Sequence, residues 1–261
     1  MKNRIERWLK IYFPEYKSVY GKFTAISSIV VLKETPLPSE IVQLGAEGIN
    51  AKWREQKIRT VGMKRAKTLY ETAKRSVGCA GGIGAKIELE LLLEDYETKN
   101  KQYEKVMTSI EELISKVPYV ENLLAIKGVG IVTVAGFIAE VGDIGRFKSP
   151  KQIQKLAGLA ITENSSGKHK GQTTISKRGR SRLRAVLFQA VMPLVAKNEE
   201  FKSLHEYYIT RSKNPLKKKQ SLIAVACKLI RIFFVILSQG IMYDKEKLLG
   251  DIVRPQEMMA A

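Results

Sequence analysis

The sequence predicts a mainly α-helical chain, and three observations predict it. Apolar residues recur at helical spacing near the start, a seven-residue apolar repeat runs through residues 85–117, and two apolar stretches, 183–196 and 222–237, have the length of buried helices. Taken in order, these elements organise the 261 residues into three regions: a helical region over 1–84, a helical arm over 85–117 and a helical domain over 118–261 with its core at 120–210.

In the first region, Ile5, Trp8, Leu9 and Tyr12 fall on one face of a helix spanning 3–20, with Arg4, Arg7 and Lys10 off it, and Pro14 breaks or kinks it. Short helices follow, divided by Thr35-Pro36-Leu37-Pro38 and by Gly45 and Gly48. Val61-Gly62-Met63-Lys64-Arg65-Ala66 resembles half of a helix-hairpin-helix and equally fits a plain helix start after a glycine. Gly78-Cys79-Ala80-Gly81-Gly82-Ile83-Gly84 lacks the Lys-Ser/Thr of a phosphate-binding loop, so it reads as a flexible hinge and sets a boundary near 84.

The arm repeats Leu89, Tyr96, Tyr103, Ile110 and Val117 every seven residues, with Leu92/Leu93, Val106/Met107 and Leu113/Ile114 between them. That pattern predicts a coiled coil, interrupted once at Lys99 and Asn100. Its eight acids outnumber its five lysines, which suits a protein contact and points to a homo-oligomer joined through the arm, or to a helix packed on its own domain.

Lys and Arg number 45 against 26 Asp and Glu, a formal charge of +19 with pI near 9.8, which points to a polyanionic partner. Cys79 and Cys227, the two cysteines, build neither a disulfide framework nor a zinc site. The start MKNRIERWLK has no apolar core of a signal peptide. Lys228 and Arg231 interrupt the run 222–237, which reads as a buried helix with a basic stripe rather than a membrane span. A cytoplasmic, nucleoid-associated protein with no membrane partner is the expectation.

Three segments of the last region carry candidate chemistry. Ile126-Lys127-Gly128-Val129-Gly130 has the helix-hairpin-helix pattern, in which Gly128 and Gly130 present backbone N–H groups to a phosphate oxygen; the same turn also serves purely structural ends. Ser149-Pro150 supplies a helix start, and a short helix runs to about Gly158. From Asn164 to Arg184, glycines, small hydroxyl residues and cations alternate, a composition that cannot form core. Between Ser166 and Lys219 fourteen cations face three acids, so this fifth of the chain holds +11 of the charge. Lys168, Lys170, Lys177, Arg178, Arg180, Arg182 and Arg184 are the candidate nucleic-acid contacts. Ser166 is the candidate nucleophile, with Ser165 as the fallback: Gly167 permits close approach, and the cations favour the charge that develops on a phosphoryl group. His169 is a base or a phosphate contact.

Leu124-Ala125-Ile126-Lys127-Gly128-Val129-Gly130, Phe147, Leu156-Ala157-Gly158-Leu159, Ser165-Ser166-Gly167, Ile175-Ser176-Lys177-Arg178-Gly179 and Leu183-Arg184, in that order, resemble the C-terminal domain of transposases of the insertion-sequence 110/116/902 family. The resemblance spans about 120–210, and the arm and the Arg4–Tyr16 stretch resemble that family's linker and the tail of its first domain. It implies a recombinase acting on DNA through a serine, Ser166 here, with a bridge RNA choosing sites in part of the family. It also implies a RuvC-like domain whose four acids bind Mg²⁺. Residues 1–60 hold Glu6, Glu15, Glu34, Glu40, Glu47 and Glu55 and no Asp, so no cofactor or metal site is expected in this chain, which reads as a truncated copy inactive alone. Alternative readings are a non-catalytic helix-hairpin-helix nucleic-acid-binding protein and an accessory protein that oligomerises with an intact transposase.

Overall fold

The computed structural model describes residues 1–162, 165–166, 169–170 and 173–257. The chain is mainly α-helical and divides into two compact units, Met1–Met107 and Thr108–Ala261.

In the first unit, α1 (Lys2–Tyr12) buries Ile5, Trp8 and Leu9, as the apolar spacing requires. Pro14 follows it, and the expected 3–20 helix is two helices, because α2 (Tyr16–Tyr20) starts afresh after the proline. α3 (Ile26–Glu34) leads to the Pro36–Pro38 break, and α4 (Pro38–Glu55) begins with a proline in its first turn and with Glu40 accepting from the Leu37 N–H at 3.2 Å. Gly45 (φ 73°, ψ 166°) breaks α4 internally, and α5 (Met63–Lys74) packs back on it. The aromatic core satisfies its own polar atoms. Trp8 Nε1 donates to Ala85 O at 2.9 Å, Trp53 Nε1 to Ser27 O at 2.9 Å, and the Tyr16 hydroxyl to Ser28 O at 3.0 Å.

The glycine-rich stretch is strapped down instead of hinging. A Cβ on Gly78 would lie 2.1 Å from Tyr12 O and one on Gly81 2.6 Å from Leu37 Cδ2, while the Cys79 N–H donates to Ile11 O at 2.9 Å. Its glycines allow close approach to the end of α1. The chain then runs into α6 (Ile83–Ile114), whose Leu89, Leu92 and Leu93 lie in the first unit's core. Burying each leucine contributes about 1.5–3 kcal/mol, so the first half of α6 belongs to this unit. Further along, Tyr103, Val106 and Leu113 are 60%, 56% and 63% exposed.

The second unit contains α7 (Val120–Leu124), α8 (Ile131–Val141), a 3₁₀ turn at Ile144–Arg146, α9 (Pro150–Leu156), α10 (Ser181–Lys197), α11 (Glu199–Thr210), α12 (Lys218–Gln239) and α13 (Lys245–Glu257). Among the described residues between α9 and α10 lie four short strands: β1 (Ile161–Thr162), β2 (Ser165–Ser166), β3 (His169–Lys170) and β4 (Thr174–Ile175). α8, α10 and α12 supply the centre of the core, where Phe137 meets Phe233 edge to face at 5.0 Å. Gly136 lets α8 approach α10, since a Cβ there would be 3.0 Å from Val186. α12 is long and apolar enough to cross a membrane by length and composition, yet Val225, Ala226, Leu229, Ile230, Phe233 and Ile236 are buried in this core. His205 sits in a structural bond, its Nδ1 2.8 Å from the hydroxyl of the fully buried Ser221.

Candidate nucleic-acid interface

The basic segment is built as an antiparallel ribbon standing on the helical unit. α9 ends through Gly158 in the left-handed region (φ 68°), with the Leu159 N–H bonded to Gln154 O at 2.9 Å. The chain leaves through β1 and returns through β4, pairing Ile161 with Ile175 and Thr162 with Thr174. Ser176 N–H to Ala160 O (2.8 Å), Lys177 N–H to Gly158 O (3.0 Å) and Arg180 N–H to Leu156 O (2.7 Å) continue the pairing down to the base. Nested inside it, β2 pairs with β3, matching Ser165 with Lys170 and Ser166 with His169. The candidate nucleophile and its fallback are thus on one strand of the inner hairpin, with His169 and Lys170 opposite. Asn164, Gly167 and Lys168 lie outside the described residues.

The base is tightly specified. Gly179 has φ 139°, and a Cβ there would be 2.3 Å from Leu156 O. Only glycine tolerates both conditions. Leu159 and Leu183 are buried beneath it and Ile175 packs against the same core. Arg184, on the first turn of α10, donates from Nη1 to Ala157 O at 2.9 Å and to Lys177 O at 3.3 Å, joining the two strands where they leave the core. Arg180 donates to Glu140 O on α8, with the Glu140 carboxylate 3.8 Å away. Of the candidate cations, Arg180 and Arg184 therefore have backbone partners in the fold, while Lys177, Arg178 and Arg182 are exposed at the same base.

Gly128 and Gly130 occupy the turn between α7 and α8. Gly128 has φ 99°, and a Cβ there would come within 3.1 Å of Leu194 Cα on α10, so its need for glycine is met by packing. Gly130 caps α8 with extended backbone, open space around its Cα and no side-chain bond to the first turn. That leaves α8's leading N–H groups without a side-chain acceptor, the condition under which a phosphate oxygen is accepted. The turn is pinned by Asn198, whose Nδ2 donates to Lys127 O at 3.1 Å while its Oδ1 accepts from Phe201 N–H at 3.2 Å to cap α11. Sequence reasoning passed over Asn198. The signal for its cap was present in the two acids that follow it, Glu199 and Glu200, but its link to residue 127 is a tertiary fact.

The Mg²⁺ that the resemblance implies finds no donor set here. Among the described residues no three His, Cys, Asp or Glu side chains come together in a group that could hold a metal ion.

Residues 120–206 match the family described as Transposase IS116/IS110/IS902 family. The chain is 34% identical to the pilin gene-inverting protein of Moraxella lacunata over 143 residues, 52% of this chain and 43% of that one. It is 22% identical to the insertion element IS116 uncharacterized 44.8 kDa protein of Streptomyces clavuligerus over 240 residues, 90% of this chain and 58% of that protein. With the transposase for insertion sequence element IS1328 of Yersinia enterocolitica it shares 24% identity over 157 residues, 60% of this chain and 47% of the relative. In each case the chain spans less than two thirds of the relative's length.

Proposed function

We propose, from the match of residues 120–206 to the IS116/IS110/IS902 transposase family, that the chain is a member of that family, that its second unit grips DNA with the ribbon and its base, and that Ser166 attacks a DNA phosphate, with Ser165 as the fallback. The observation that carries this reading is the ribbon itself: paired strands bearing Ser165 and Ser166 rise from a base fixed by Gly158, Gly179 and Arg184 and flanked by exposed Lys177, Arg178 and Arg182. A fixed base suits catalysis that depends on positioning. In the proposed step the serine oxygen bonds to phosphorus, its proton leaves to a base, and a deoxyribose oxygen departs with a proton, so the phosphodiester energy is kept in a phosphoserine link. Cations close in sequence to the serine, Lys168 and Lys170 among them, are assigned to stabilise the charge spread over the phosphoryl oxygens.

The exposed apolar stripe of α6, Tyr103, Val106 and Leu113, supports self-association through a coiled coil. The helix–turn–helix at Gly128 and Gly130 supports a helix-hairpin-helix grip on the phosphate backbone. A bridge RNA and a nucleoid-associated cytoplasmic location complete this reading. A second reading, a non-catalytic nucleic-acid-binding protein, rests on the exposed Lys177, Arg178 and Arg182 at the ribbon base without the serine step.

Strand exchange on a DNA substrate, assayed with this chain alone and with it joined to the length it does not span of a relative such as the IS116 protein, separates them. Ser166→Ala is expected to abolish exchange while leaving DNA binding within about twofold, a loss smaller than the tenfold that 1.4 kcal/mol represents. Undiminished exchange in both Ser166→Ala and Ser165→Ala contradicts the nucleophile assignment.

A further inference from the structure

The first unit carries a basic surface of its own around the turn between α4 and α5, which the ribbon does not explain. From Lys57 to Arg75 seven cations face one acid, Glu71. The turn that bears the first of them is held open and rigid. Arg54 donates from Nη1 to Ile58 O at 2.8 Å and from Nη2 to Val61 O at 2.9 Å, and the Ile58 N–H reaches back to Trp53 O at 2.8 Å. Ile58 is buried under the turn, while Lys57, in the left-handed region at φ 57°, and Arg59 are exposed.

α5 continues the surface. Ala66, Leu69, Thr72 and Ala73 are buried, which turns Lys64, Lys67 and Lys74 outward at helical spacing on the opposite face. Among the described residues, the first unit's ion pairs are formed by Lys33, Lys52 and Lys86, and none involves Lys57, Arg59, Lys64 or Lys67. Neighbouring acids are otherwise engaged: Glu55 pairs with Lys52 at 3.4 Å, and Glu15 accepts from Ser76 and Val77 at the far end of α5. Arg65 lies over the Tyr20 ring, 5.6 Å from its centroid, on the side of the helix facing α2.

We propose that Lys57, Arg59, Lys64 and Lys67 form a second phosphate-contacting surface, through which the first unit binds the backbone of a nucleic acid independently of the ribbon. A cation array of this density without acidic partners stays charged in water and releases counterions when it meets a polyphosphate. The partner is recognised by backbone charge alone. Val61-Gly62-Met63 repeats the local pattern of Val129-Gly130-Ile131, each glycine capping the following helix without a side-chain bond.

The test uses the whole chain with all four cations replaced, Lys57→Gln, Arg59→Gln, Lys64→Gln and Lys67→Gln, in anisotropy titrations against a random-sequence DNA duplex and a hairpin RNA. Against the nucleic acid that the surface holds, the slope of log affinity on log salt should fall by about 3 to 4 units for duplex, at ~0.9 per phosphate, or somewhat less for single-stranded backbone. A fall with DNA only, RNA only or both supports the surface and names the source of the phosphates. Unchanged slopes with both overturn it, including the case in which the variant loses only its binding to anionic phospholipid vesicles. Lys64→Gln with Lys67→Gln, two solvent-facing helix positions, repeats the test at half the expected effect should the four-site variant melt early. The ribbon variant Arg178→Gln with Arg182→Gln is measured in parallel, so failure of either surface shows separately.

Discussion

Gly179 and Gly130 are both glycines at turns beside a helix start, and they answer to different constraints. Alanine at Gly179 would have to take φ 139° with its Cβ 2.3 Å from Leu156 O. Strain of this kind costs about 1–3 kcal/mol before the clash is relieved, so Gly179→Ala should lower the urea midpoint of the second unit clearly. Gly130, with open space at the same position, should accept alanine for under about 1 kcal/mol, while losing nucleic-acid affinity if α8's first turn takes a phosphate. Equal midpoints for the two variants would contradict the ribbon base as drawn. His205 makes a pH-dependent prediction. Burial holds its pKa below the ordinary 6.5. A depressed histidine pKa means the unfolded chain binds the proton more readily, so the contribution is present above 6.5 and is lost as pH falls through that value toward the folded pKa. Urea midpoints measured downward from neutral pH should fall in the wild type and fall less in His205→Gln; parallel curves would show that His205 does not carry the pH dependence.

At the scale of elements, the ribbon and α6 make separate predictions. Arg184→Gln removes the bond that joins Ala157 O to Lys177 O, and hydrogen exchange at Ser176, Lys177 and Arg180 should quicken about tenfold per 1.4 kcal/mol of lost local stability. Exchange unchanged at those amides would show that the strands hold without it. On α6, Tyr103→Lys with Val106→Lys should lower the sedimentation-derived mass of any assembly, because both side chains are more than half exposed and need a partner surface to be buried; an unchanged mass would assign the stripe no role. Most helices were legible from periodicity: Ile5, Trp8 and Leu9, or the run 222–237, announce their buried face. The break at Pro14 was legible as well, since a proline past the first turn removes a helical hydrogen bond and crowds the preceding turn, although Pro193 is accommodated inside α10. The ribbon was not, because two-residue strands of Thr, Ser, His and Lys show no alternation for a period to reveal. Nor was the anchoring of Gly78–Ile83 across α1, for a glycine needed for close approach and one needed for hinging look alike in sequence. Arg184 shows the same limit: the sequence reads a cation beside Arg180 and Arg182, and only the fold gives it two carbonyls to hold.

For the whole molecule, charge is the property that sequence and fold express alike. The +19 of the chain is concentrated in two stretches, Lys57 to Arg75 of the first unit and Ser166 to Lys219 of the second, while the exposed part of α6 is acidic. The proposed grip of the ribbon base on nucleic-acid phosphates is read out by the salt dependence of DNA binding by the full chain. Arg178 and Arg182 are the residues to replace, since Arg180 and Arg184 hold the fold. With both changed to Gln, the slope of log affinity on log salt should become shallower by about 2 units, at ~0.9 for each lost phosphate contact, with the thermal midpoint unchanged. A slope equal to that of the wild type would contradict that grip.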